Sequence, residues 1–317
     1  MSYKNNKLAF IVPGQGSQYV NMAQDFIEND PILNEILKDF DNSHSVDLKE
    51  IMQNGPVEKL KETQFTQPAI LFHSIAALKT FKKEFDIDPE FVAGHSLGEF
   101  SALVANNVLD LKDAMHLVHK RGQFMIKANQ GKPFGMTAIL GLSNEEVKEL
   151  CSKVENKGIV VAANFNTPKQ TVISGEKGAV DSVADSAKEK GAKRVVPLTV
   201  GGPFHSPLIK EAETWLQEEM TSFNFNQTQI PVVANVDAQP TTNIDKIKKN
   251  LAKQVTSPVL WVESVKYMIS QDVKVFIEFG PKKVLKGMLR RIDRSAKVLN
   301  VEKIKDLKKI EKGLAKL

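Results

Sequence analysis

The 317-residue chain predicts a large α/β domain with a mainly parallel sheet and an elbow serine, interrupted by a small ferredoxin-like βαββαβ domain. Three observations carry the prediction. Short buried apolar runs alternate with helix-periodic segments, as in a parallel sheet wrapped by helices. One of those runs ends in Gly-His-Ser-Leu-Gly. Between about residues 132 and 200 the alternation changes to strand-helix-strand, twice over, complete in about 70 residues. The expected limits are 1–131 and 202–317 for the large domain and 132–201 for the small one.

The elements follow in chain order. KLAFIV (7–12) is a buried strand running into the loop PGQGSQ (13–18), and TQPAILFHSIAALKTFKKEF (66–85) is the longest apolar-periodic helix. FVAG (91–94) is a second buried strand, followed by helices at LGEFSALVANN (97–107) and LKDAMHLVHKRGQFMIKA (111–128). In the small unit GMTAILGL, GIVVAANF, QTVISGE and AKRVVPLTV are strands, and SNEEVKELCSKV and KGAVDSVADSAKEKG are helices. The chain returns to the large domain at GGPFHSP (201–207), where PVVANV (231–236) and VKVFIEFG (273–280) read as further strands.

Composition narrows the function. A hydrophobic content of 42% supports a sizeable core, and the single cysteine, Cys151, excludes an internal disulfide and fits a reducing compartment. Val147, Leu150, Cys151 and Val154 share helical spacing, so the thiol reads as core. The first apolar run, five residues before Pro13, is too short for a secretory signal, and no stretch reaches a membrane span. A cytoplasmic protein is expected. The formal charge is +5, yet only five of the 43 basic residues are arginine (121, 194, 290, 291 and 294). Much of the excess lies in VEKIKDLKKIEKGLAKL (301–317). There Ile304, Leu307, Ile310, Leu314 and Leu317 form one apolar stripe, a docked helix with a solvated lysine face. Nucleic acid is not the expected partner; an acidic protein stays open.

Gly94-His95-Ser96-Leu97-Gly98 is the nucleophile-elbow pattern, set between a strand and a helix as that chemistry requires. A helix-capping serine is the bland alternative. If Ser96 is a nucleophile it needs a base. His95 adjoins it on the turn and points away, and His73, His116 and His119 sit in predicted helices. No third ligand accompanies His116 and His119, so a metal site is not expected. His205, in a Gly/Pro-bracketed loop, is the chosen partner. Asp110, Asp113, Asp181 and Asp185 lie between the two, and no motif marks any of them as a third member. PGQGSQ lacks both the dinucleotide and the P-loop patterns. Its small residues free the amide of Gln15 to approach a ligand, although a plain loop reads equally well. Arg121, taken alone, reads as a surface arginine.

With PGQGSQ, GHSLGE, RGQFM and GGPFHSP in this order, the chain closely resembles the malonyl-CoA:acyl-carrier-protein transacylases over essentially its whole length. The resemblance implies a Ser-His dyad without a carboxylate, with Ser96 as nucleophile and His205 as base. It implies oxyanion amides from Gln15 and Leu97. The backbone carbonyl of Gln254 would orient the histidine, and Arg121 would pair with the malonyl carboxylate. Asn166 would stand on the pocket wall, from the small domain. No cofactor or metal is implied; malonyl-CoA and acyl carrier protein are the implied partners, in fatty-acid synthesis. A serine hydrolase of the α/β-hydrolase kind is the rival reading, and a non-catalytic carrier-binding module a weaker one. An unperturbed imidazole at His205, near 6.5, predicts acylation that falls as the pH drops through that value.

Overall fold

The computed structural model describes residues 7–129 and 131–315. Six strands form the main sheet: β1 (Leu8–Val12), β2 (Phe91–Gly94), β7 (Val232–Val233), β8 (Pro240–Thr241), β9 (Val275–Phe279) and β10 (Lys297–Val301). Their order is β10-β9-β1-β2-β7-β8, and every pairing is parallel except the β7–β8 hairpin. β1 lies inside the sheet and all five of its residues are buried. That is why LAFIV reads as an unbroken apolar run without alternation. Val12 pairs with Gly94, so PGQGSQ and the elbow leave side by side from the carboxyl ends of neighbouring strands. Open α/β sheets place ligands at that end.

The helix Thr63–Glu84 is buried along most of its length and packs on Leu111–Lys127. Two local features fix that contact. Pro68 lies inside the first helix and cannot donate to the carbonyl four residues back. His119 uses the orphaned carbonyl, its Nδ1 donating to Gln64 O at 2.9 Å. One turn on, a Cβ at Gly122 would stand 2.8 Å from Gln64 Cα. The glycine of RGQFM therefore lets the two helices approach, and carries Arg121 inward with it.

The remaining strands, β3 (Phe134–Leu140), β4 (Val160–Thr167), β5 (Gln170–Glu176) and β6 (Arg194–Pro197), form a separate antiparallel sheet in the order β4-β5-β3-β6. With helices Asn144–Ser152 and Lys177–Glu189 this is the expected βαββαβ unit. Cys151 lies in its core, and burial pushes the thiol up to about 12. β4 also bonds to the large domain: Val259 N donates to Ala163 O and Phe165 N to Val259 O, each at 2.9 Å.

Some elements differ from the sequence reading. PVVANV is a strand only at Val232–Val233, and AKRVVPLTV only at Arg194–Pro197. β8 and β10 are additional. The C-terminal run gives a helix at Leu307–Leu314 with Leu307, Ile310 and Leu314 buried; Leu317 lies outside the described residues. Among the described residues no helix is long and apolar enough to cross a membrane.

Candidate active site

The elbow is built by close approach of backbones. A Cβ on Gly94 would stand 1.9 Å from the carbonyl of Gly98, and one on Gly98 would stand 2.2 Å from Val12 O. Only glycine fits either place. Between them Ser96 takes φ 53°, in the left-handed region, where an L-residue pays roughly 1–2 kcal/mol. The Ser96 amide donates to Asn235 Oδ1 at 2.7 Å, which holds the turn from below.

His205 comes from the loop 201–206 and is also left-handed, with φ 58°. Its Nε2 lies 2.8 Å from Ser96 Oγ. Its Nδ1 faces two carbonyl oxygens, Gln254 O at 2.8 Å and Ser257 O at 3.2 Å. A carbonyl only accepts, so Nδ1 carries the proton and Nε2 offers its lone pair to the serine. The third position of the constellation is held by backbone carbonyls. Burial first, then the charge of Arg121, pushes His205 down to about 3. It is therefore neutral, and able to accept a proton, across the physiological range. The sequence expectation of an imidazole near 6.5 is corrected by these two effects.

Arg121 is 1% exposed, not the surface residue that its helix suggested. Its Nη1 donates to Gln67 Oε1 at 2.7 Å; its Nη2 donates to Gln254 Oε1 at 2.8 Å and to Ser96 Oγ at 3.1 Å. Its Nε finds no hydrogen-bond partner among the described residues. Burial lowers Arg121 to about 10, against the opposing pull of Glu99, so the guanidinium stays charged. It stands within reach of whatever is attached to Ser96.

These groups line a cavity of about 110 Å³ with Gln15, Leu97, His95, Asn164, Met125, Met136 and Phe204 among its walls. PGQGSQ is pressed against the elbow, since a Cβ at Gly14 would stand 2.3 Å from His95 O. Leu97 caps the helix Gly98–Ala105, whose amino end favours negative charge. Neither the Gln15 nor the Leu97 amide is engaged by another group among the described residues. His95 turns away from Ser96 and its Nε2 meets Asn166 Oδ1 at 2.7 Å. Asn166 is thus spent on His95, and the small domain's asparagine on the cavity wall is Asn164, two residues earlier on β4. A neutral base on a hydroxyl, beside two free amides and a buried cation, is suited to acyl transfer from a carboxylate-bearing thioester.

The acyl transferase domain family matches residues 9–314. The chain belongs to that family. A malonyl CoA-acyl carrier protein transacylase of Staphylococcus aureus (strain MRSA252) is 42% identical over 304 residues, which cover 96% of this chain and 98% of its own. The solved malonyl CoA-acyl carrier protein transacylase of Coxiella burnetii superposes with a TM-score of 0.93 at 36% identity, covering 98% of each chain. A malonyl-transacylase solved in complex with a type II PKS acyl-carrier protein gives a TM-score of 0.92 at 36% identity, over 97% of this chain and 100% of that one.

Three further side chains of this candidate site escaped the sequence reading. Gln67 reaches Arg121 from the turn before Pro68, and Asn235 supports the elbow from beyond β7. Glu99, three residues after Ser96, is buried and accepts from Asn235 N.

Proposed function

We propose that this acyl transferase moves a malonyl group from malonyl-CoA to the phosphopantetheine thiol of an acyl carrier protein through malonyl-Ser96. The observation that carries the reading is the buried guanidinium of Arg121 beside the serine oxygen, 3.1 Å from Nη2 to Oγ. A planar fork at that distance selects an acyl group ending in a carboxylate. The Ser96 hydroxyl gives its proton to His205 Nε2 while Oγ attacks the thioester carbon. The amides of Gln15 and Leu97 hold the oxyanion. On collapse the C–S bond breaks, and coenzyme A leaves with the proton from the imidazolium. The carrier thiol then gives a proton to His205, attacks the ester, and Ser96 recovers its hydrogen. These steps use no metal and no cofactor beyond the carrier groups of the two thioesters. We place the reaction in the cytoplasm, in fatty-acid synthesis. The α/β-hydrolase reading lacks its carboxylate, since among the described residues His205 Nδ1 meets only carbonyls.

Intact-mass measurement after mixing with malonyl-CoA tests the reading. A lasting gain of one malonyl group, discharged by carrier protein, is expected; an adduct lost to water within the mixing time would indicate a hydrolase.

Arg121→Ala separates carboxylate selection from general acylation. Removing one partner of a well-buried ion pair costs about 3–5 kcal/mol. That corresponds to a loss of roughly 10²–10³-fold or more in malonyl kcat/KM. Acetyl transfer is expected to hold or rise, because an acetyl group leaves the arginine unpaired. Arg121→Lys should recover little. Parallel loss of both activities would mean that Arg121 supports the fold instead.

A further inference from the structure

Glu99 is 2% exposed, on the first turn of the helix that follows the elbow. Its Oε2 accepts two hydrogen bonds, from Asn235 N at 3.0 Å and from Gln254 Nε2 at 2.6 Å. The same Nε2 approaches Ser96 O at 3.1 Å, and the other end of that amide, Gln254 Oε1, accepts from Arg121 Nη2 at 2.8 Å. A single glutamine amide thus stands between a buried carboxylate and a buried guanidinium, its dipole aligned with both charges. Asn235 completes the link, accepting from Ser96 N and donating to Gly94 O, both at 2.7 Å.

The charges around this chain do not balance through the catalytic cycle. In the free enzyme Arg121 and an ionised Glu99 cancel. A malonyl carboxylate on Arg121 adds a second negative charge to a place with little water, and a buried charge without a partner is costly. We propose that Glu99 is a positioning residue: its carboxylate balances Arg121 across Gln254 in the free enzyme, and it takes up one proton from solvent when a malonyl carboxylate pairs with Arg121. The inference rests on the malonyl reading given above.

The surroundings of Glu99 favour the exchange. The charged groups facing it are Arg121, from the helix Leu111–Lys127, and Asp237, from the turn after β7. Burial pushes Glu99 up to about 7, against its two hydrogen bonds and Arg121, and Asp237 adds to the rise. Pairing Arg121 with substrate weakens its pull on Glu99, so the carboxyl rises further and binds a proton near neutrality. Malonyl kcat/KM should then decline as the pH rises above about 7, with a limiting slope of tenfold per pH unit. Glu99→Gln removes the charge, while a carbonyl in place of Oε2 can still accept both hydrogen bonds.

The test mixes enzyme with equimolar malonyl-CoA near neutral pH in weak buffer with a pH indicator, and takes the intact mass of the same sample. Exchange of a hydroxyl and a thioester for an ester and a thiol releases no proton well below the thiol's pKa. Uptake of a sizeable fraction of one proton per adduct by the wild type, and none by Glu99→Gln, is expected. An adduct without uptake overturns the role of Glu99 and leaves the malonyl reading standing; no adduct at all overturns both. Should Glu99→Gln not fold, the wild-type uptake and the alkaline decline decide alone, and their absence sinks the proposal.

Discussion

Ser96→Ala is expected to abolish covalent acylation, with no adduct by intact mass at any malonyl-CoA concentration. Among the described residues no other hydroxyl or thiol lines the cavity, and Cys151 is buried in the small sheet's core with its thiol pushed up to about 12. Nothing else is placed to take the acyl group. The fold should survive. Arg121 Nη2 keeps Gln254, and the Ser96 amide keeps Asn235, because neither bond involves Oγ. The left-handed backbone at Ser96 is as strained for alanine as for serine. Ser96→Gly removes that strain of roughly 1–2 kcal/mol and gives back roughly 0.5–1 kcal/mol in chain entropy. It should therefore be equally inactive and no less stable than the wild type in thermal or urea unfolding. A persistent adduct on either variant would show that the acyl group goes elsewhere.

What the sequence made legible was local. The elbow could be read because its causes lie within a few residues: a buried strand, two glycines at the tight contacts, and a helix that begins at once. The βαββαβ order could be read because each of its elements carries its own periodicity. β7, with two residues, was read too long as PVVANV, and the two-residue β8 was missed along with β10. The loop of His205 was recognisable by its glycines and prolines, but its bond to Ser96 spans 109 positions, and chain spacing says nothing about contacts of that length. Arg121 is the clearest case. Its burial depends on Gly122 letting two helices close, on Pro68 displacing the helix bonding there, and on amides 54 and 133 positions away. Of these only Gly122 lies on the helix that carries Arg121, and the backbone it packs against belongs to another helix. Glu99 was hidden for a related reason. An acid in the first turn of a helix is ordinarily explained by the helix dipole, and only the packing of Asn235 and Gln254 over it reveals a buried charge.

His205→Ala is expected to slow acylation by roughly 10²–10⁴-fold, the range for loss of one general base. The pH dependence of the wild type identifies the base more sharply than the loss itself. Burial and then the charge of Arg121 hold the free-enzyme imidazole down to about 3. A lowered pKa keeps Nε2 unprotonated well into the acid, so kcat/KM should show no histidine limb between about pH 5 and 8, where an ordinary imidazole would titrate. The acid decline belongs below that range. Two shifts follow from the second cause. The proposed pairing of malonyl with Arg121 would weaken its repulsion of the imidazolium, so the acid limb of kcat, which reports the bound enzyme, should lie above that of kcat/KM. Arg121→Ala removes the charge outright and should move the free-enzyme limb upward as well, which acylation rates with an acetyl thioester can follow. Burial remains in both cases, so neither limb should return fully to the value of an exposed histidine. A His205→Ala variant within a few-fold of the wild type would assign the proton to another group, and a wild-type limb near 6.5 would overturn the lowering of His205.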